Sequence, residues 1–244
     1  MAEVFQLSLP GPAGSAAPPV HPTLVKTRTS LVLFDMGYPG QVDDIDRELH
    51  RNGFALGDLS HIVISHQDHD HIGSLADIKR RNPAVIVLAS AAEEPFISGK
   101  EESLRIRQAR DFNRTLRGDE REWGESFLRY LSTIEPCEVD RVVARFPESI
   151  DGEITVIPTP GHTPGHISAH LERLKTLIVG DALAIENGSL VIANPQFTLD
   201  PPTCRRTILY IAELNLEWLY CYHGGVVRTE DGKALGALID SFGD

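Results

Sequence analysis

Residues 65–74 read SHQDHDHIGS, and three histidines and two aspartates fall within the six positions from His66 to His71. Neutral imidazoles and carboxylates are the donors that a borderline divalent ion takes. Four of them, His66, Asp68, Asp70 and His71, on one short loop cannot all point into a core. Further along come His162 in TPGHTPGH, Asp181 in IVGDAL and His223 in CYHGG, each after a strand-like run and at a Gly-bearing turn. If those runs end at one sheet edge, the three join the cluster, and a carboxylate among them can bridge two ions. Loops at strand ends are where α/β folds place chemistry, because the sheet fixes their roots. The remaining histidines divide. His69 alternates away from the ligand positions, so it either hydrogen-bonds a neighbouring loop or replaces Asp68 as a ligand through a register change. His166 and His170 lie on an expected strand and read as core or supporting residues, while His21, His50 and His61 belong to no motif.

The elements that must position these residues are legible in outline. SLVLFDMG, at 30–37, is a buried strand ending in a glycine turn. A helix over 43–53 is expected next, capped by Asp43 or Asp44 and closed by Gly53. A strand at 61–65 ends where the cluster begins, a helix at 74–83 stops at Pro83, and AVIVLAS is another strand. Between about 93 and 141 the pattern turns to charged helix, with Phe112 and Leu116, then Trp123, Phe127, Tyr130 and Leu131, at helical spacings. This insertion either packs its aromatics on the core or forms a lid over a substrate pocket. Strands follow at 153–159, 166–172 and 175–181, then a helix at 202–214, a strand WLYCY and a last helix at 232–242. Two β-rich halves with helices outside predict an α/β fold, a four-layer αββα sandwich forming a single domain over 1–244. PGPAGSAAPP, near the start, reads as a hairpin or surface loop.

Bulk properties narrow the function. Hydrophobic residues make up 41% of 244, enough for one sizeable core. A formal net charge of −12 with no basic stripe disfavours nucleic acid. No apolar run approaches the roughly 18–20 residues of a membrane span, and the N-terminus lacks a basic start, so a cytoplasmic protein is expected. Cys137, Cys204 and Cys221 are widely spaced and odd in number, which reads as reduced, buried thiols.

Taken in order, FDMG with Asp35, SHQDHDH, PGHTPGH with His162, VGD with Asp181 and the late His223 resemble the five motifs of the metallo-β-lactamase-fold superfamily of metallohydrolases. The resemblance spans most of the chain outside the insertion and the N-terminal turn. It implies two divalent transition metal ions, zinc foremost with manganese or iron as alternatives. One would be held by His66, residue 68 and His162, the other by Asp70, His71 and His223, with Asp181 bridging. Asp35 would orient a ligand or cap its turn. Asp70 would be catalytic, orienting a bridging hydroxide and passing its proton to the leaving group, an effect worth about 100- to 10,000-fold.

One departure stands out: the usual motif is His-x-His-x-Asp-His, and Asp68 occupies the second histidine's place. Flavodiiron members also carry a carboxylate there. Two divalent ions are then balanced by Asp68, Asp70, Asp181 and a hydroxide, so the core is formally neutral, which favours harder ions and attracts anions less. The expected reaction is hydrolysis of a small ester, lactone or thioester, its acyl tail lodged against Trp123, Phe127 and Phe197. Tyr38 and Phe197 line the pocket or serve only as turn residues. A di-iron redox protein and a non-catalytic metal-binding protein are the other two readings. A small molecule is the expected partner, with oligomeric state left open.

Overall fold

The computed structural model describes residues 2–12 and 17–242, so the loop expected within PGPAGSAAPP falls partly outside the described residues. Strands β1 (Glu3–Gln6), β2 (Thr23–Lys26), β3 (Leu31–Phe34), β4 (His61–Val63), β5 (Ile86–Ser90) and β6 (Arg141–Val143) form the first sheet in that order. β1 to β3 pair antiparallel, β3 to β6 parallel. Each parallel step needs a crossover. α1 (Val42–Arg51) makes the first, α2 (His69–Ile72) and α3 (Leu75–Arg81) the second, and α4 (Glu94–Ile97), α5 (Leu104–Asn113) and α6 (Gly118–Leu131) the third. The second sheet contains β7 (Glu148–Ile150), β8 (Ile154–Pro158), β9 (Ile167–Leu171), β10 (Thr176–Gly180), β13 (Trp218–Cys221) and β14 (Gly225–Arg228), in the order β14-β13-β10-β9-β8-β7. A hairpin of β11 (Ala184–Glu186) and β12 (Ser189–Val191) stands apart, and α7 (Pro201–Glu213) and α8 (Lys233–Asp240) complete the chain.

Period-two alternation explains the layering. Leu31 and Leu33 of β3 pack outward with Ile45 and Leu49 of α1 and Ile78 of α3, whereas Val32 and Phe34 face inward. The inward side joins Val63 and Leu88 to Val156, Ala169 and Ile178 of the second sheet. Leu177 and Val179 of β10 pack with Ile208 and Ile211 of α7 and with Leu235 of α8. Three apolar seams separate four layers, which gives the expected αββα sandwich. Cys137, Cys204 and Cys221 are buried and free. Among the described residues no helix is long and apolar enough to cross a membrane.

Local expectations fared unevenly. α1 begins at Val42 after Gln41, with no side-chain cap, so Asp43 and Asp44 are not caps but first-turn residues that favour the helix dipole. The cluster is not carried wholly by a loop, since Asp70 and His71 sit in the one-turn helix α2. In α6 only Gly124 and Leu131 are buried, and Trp123 is 60% exposed, so the insertion's aromatics do not all pack on the core.

Candidate metal centre

Seven polar side chains meet where strands of both sheets end. His66 and Asp68 follow β4, and α2 turns Asp70 and His71 inward from the same segment. His162 follows β8, Asp181 follows β10, and His223 follows β13. Asp68 Oδ2 lies 3.4 Å from His66 Nε2 and 3.1 Å from His162 Nε2. His223 Nε2 is 3.3 Å from Asp70 Oδ2 and 3.4 Å from Asp181 Oδ1, and His71 Nε2 is 3.3 Å from that same Asp181 oxygen. Asp181 Oδ2 points the other way, 3.6 Å from His162 Nε2.

The imidazoles are aimed from behind. Asp35, at φ +61°, accepts hydrogen bonds from the Ser65 amide and hydroxyl, both at 2.8 Å, and its Oδ2 lies 3.0 Å from His71 Nδ1. The Ser65 hydroxyl hydrogen is thereby committed, so its oxygen accepts from His66 Nδ1 at 2.9 Å. Both rings therefore carry the proton on Nδ1 and present Nε2 to the cluster. His166, not a member of the cluster, accepts the Asp181 amide on Nε2 at 3.0 Å. Gly180 precedes Asp181 at φ +54°, and a Cβ there would meet His166 Nε2 at 2.7 Å and Ser65 Cβ at 2.9 Å, so this close approach requires glycine.

Electrostatics reflect four buried carboxylates among imidazoles. Burial works against charge on His71, yet Asp181, Asp35 and Asp70 outweigh it and raise its pKa well above the ordinary value. His223 is likewise raised, to about 10, against burial, by Asp181 and Asp70. Burial lowers His66 and His166, with neighbouring imidazoles adding to the effect. Asp68 stays ionised despite burial because Arg105 and His66 hold it well below the carboxylate range.

Arg105 and Glu93 are the residues that sequence reasoning missed. Arg105 projects from α5, is 3% exposed, and donates from Nε to both Asp68 oxygens at 3.1 Å and from Nη2 to Oδ2. Its Nη1 donates to the Phe197 carbonyl at 2.8 Å and to Gln108 Oε1. With this cation in contact with Asp68, the core is no longer formally neutral, and the Asp68–Arg105 pair replaces a neutral histidine without changing the charge. Glu93, fully buried, accepts from the Gln67 backbone amide at 3.1 Å and the Gly165 amide at 2.9 Å, joining the loop of His66 and Asp68 to that of His162. No spacing distinguishes Arg105 from Arg107 or Arg110 in the same helix.

These donors fit a metal. His66 Nε2, His71 Nε2, His223 Nε2 and Asp181 Oδ1 are buried and have no hydrogen-bond partner among the described residues, an arrangement that is costly unless something else satisfies them. His66, Asp68 and His162 form one group whose ligand atoms lie within 4.8 Å of one another, and Asp70, His71 and His223 form a second. A tetrahedral ion with bonds of about 2.0–2.1 Å has ligand-to-ligand edges of about 3.3–3.4 Å, close to the spacings above. His69 belongs to neither group; its ring packs against Tyr38, Phe127 and Tyr130. A cavity of about 210 Å³ opens over the centre, its lining including Tyr38, Asp70, Phe127 and Phe197. Trp123, Phe127 and Phe197 also wall a neighbouring apolar cavity of about 480 Å³ with Phe112 and Leu116.

The model of the metallo-beta-lactamase superfamily matches residues 17–223. "Probable metallo-hydrolase YflN" of Bacillus subtilis is 29% identical over 212 residues, covering 80% of this chain and 75% of the relative. Among solved structures, the metallo-beta-lactamase family protein TTHA1429 of Thermus thermophilus superposes with a TM-score of 0.75 at 19% identity, over 98% of this chain and 79% of that one. The dizinc quorum-quenching lactonase AidC, in complex with a product, gives a TM-score of 0.58 at 17% identity, over 86% of this chain and 75% of that one.

Proposed function

This chain belongs to the metallo-beta-lactamase superfamily, and from that premise we propose that it is a metal-dependent hydrolase of small carboxylic esters or lactones, with thioesters as neighbouring substrates. The observation that carries the reading is the convergence around Asp181 of the Nε2 atoms of His66, His71 and His223, buried and without a hydrogen bond among the described residues, beside an apolar cavity. His66, Asp68 and His162 would hold one ion and Asp70, His71 and His223 the other, with Asp181 between them. When bound, such ions supply a reactive water at neutral pH and polarise a carbonyl.

The chain's own groups do the rest. Asp70 Oδ2 faces His223, while its Oδ1 lies 3.7 Å from His69 Nδ1. Oδ1 is therefore the oxygen placed to take a proton from the attacking water and return it to the leaving oxygen. Burial and the Asp70 charge raise the Tyr38 phenol, so it stays protonated and can donate to a substrate oxygen. Phe197 and Trp123 offer apolar surface on the acyl side. A relative named a probable metallo-hydrolase supports hydrolysis, and a structural neighbour that is a lactonase favours this substrate class. The redox alternative was suggested by the carboxylate at position 68, which here pairs with Arg105.

The test is a panel of esters, lactones, thioesters and phosphodiesters assayed with chelated protein and after reloading separately with zinc, manganese and iron. Turnover of an ester or lactone is expected only after reloading. Undiminished hydrolysis after exhaustive chelation would sink the reading.

A further inference from the structure

Resting on that reading of the centre, we propose that Arg105 makes its two halves unequal, so that the ion held by His66, Asp68 and His162 is the exchangeable one and the ion held by Asp70, His71 and His223 is retained. The guanidinium contacts Asp68 Oδ2, the oxygen that lies 3.4 Å from His66 Nε2 and 3.1 Å from His162 Nε2. Arg105 Nη2 also lies 3.4 Å from His162 Nε2. A permanent positive charge thus abuts the ligand atoms of one half. It draws electron density from the one carboxylate there and repels a divalent ion directly, with no intervening solvent to weaken the effect.

The guanidinium cannot easily withdraw. The Phe197 carbonyl and Gln108 hold its other nitrogen, its Cζ lies 4.8 Å from the centroid of the Phe197 ring, and moving it would strip the buried Asp68 carboxylate of its cation. The other half is different in kind. Asp70 lies 3.7 Å from His69 Nδ1, 3.9 Å from His71 Nε2 and 3.3 Å from His223 Nε2, and no arginine or lysine among the described residues pairs with it. The same helix that roofs the substrate cavity therefore sets the affinity of one half-site. The positive charge is what matters, so a neutral side chain at this position should strengthen the half-site it touches.

The experiment removes zinc from the loaded chain with increasing chelator and counts ions per chain by elemental analysis. In the unaltered protein two steps should appear, separated by at least tenfold in free chelator. His162→Ala should abolish only the easier step. Arg105→Met should shift the easier step at least tenfold toward tighter binding, and Arg105→Gln, neutral but still a hydrogen-bond donor, should do the same if the methionine variant folds poorly. Two ions leaving together, or an easier step unmoved in the neutral variants, overturns the proposal while leaving the hydrolase reading intact. A chain that binds no ion overturns both.

Discussion

Asp35 answers three donors at once, the Ser65 amide, the Ser65 hydroxyl and His71 Nδ1, from a left-handed backbone position that aspartate tolerates better than most residues. Asp35→Ala frees the His71 ring to rotate or to exchange its proton between nitrogens. Metal affinity should fall about 10- to 100-fold, the usual cost of losing such a support, as read by competition with a chromogenic chelator; unchanged affinity would show that packing alone aims the ring. At this scale the sequence was informative wherever residue type and spacing coincide. His66 to His71 crowd donors that only a shared purpose explains, and His162, Asp181 and His223 each follow a strand at a glycine turn. Arg105 was illegible because one arginine among several on a charged helix looks like a solvated face until the fold turns it inward. Glu93 was hidden for a related reason: its partners include the Gln67 and Gly165 backbone amides, and backbone donors leave no mark in side-chain patterns.

The third crossover, from α4 to α6, is where helices and chemistry meet. α5 starts with the Ser103 hydroxyl accepting the Arg105 amide, and the Leu104 amide donates to Gln67 at 2.6 Å, so the helix is pinned to the segment that carries His66 and Asp68. α6 then sets Trp123 against Phe127, their rings stacked at 5.5 Å, along the apolar cavity. Helical spacing revealed the aromatic row, but not whether it faced core or cavity, since both demand the same periodicity. If the row receives acyl chains, Trp123→Ala removes contacts worth about 1.6 kcal/mol, roughly two buried methylenes, which is somewhat more than tenfold in affinity. kcat/KM should drop about tenfold for hexanoyl esters and less than about twofold for acetyl esters; equal losses for both would remove the cavity from substrate binding. β3, β4, β5, β8, β9 and β10 were readable as strands because they are buried runs. β1, β7, β12 and β14 are short and partly exposed, so their identity depends on neighbours far along the chain.

Across the whole molecule the centre is a seam. Its donors come from β4 and α2 on one sheet and from the ends of β8, β10 and β13 on the other, so an ion bound there cross-links the two halves of the sandwich. Reloading chelated protein at a metal concentration 100 times Kd should raise stability by about 2.7 kcal/mol, visible as a higher Tm in a thermal melt. Because His71 and His223 have raised pKa values, protons compete for their nitrogens at neutral pH, and the metal-induced rise should grow as pH increases and shrink as it falls. A Tm indifferent to metal would contradict a cross-link. The αββα order was legible because three separate apolar seams require period-two strands with amphipathic helices outside. The meeting of the seven side chains was not derivable from that order alone, since it depends on which strand ends share an edge. One more tie crosses this molecule: Val20 bridges to both Leu9 and His223, and the His21 amide donates to the Tyr222 carbonyl at 2.8 Å. The opening segment thus holds the backbone that carries His223, and a cut ahead of Thr23 is expected to loosen that histidine while leaving every donor atom chemically untouched.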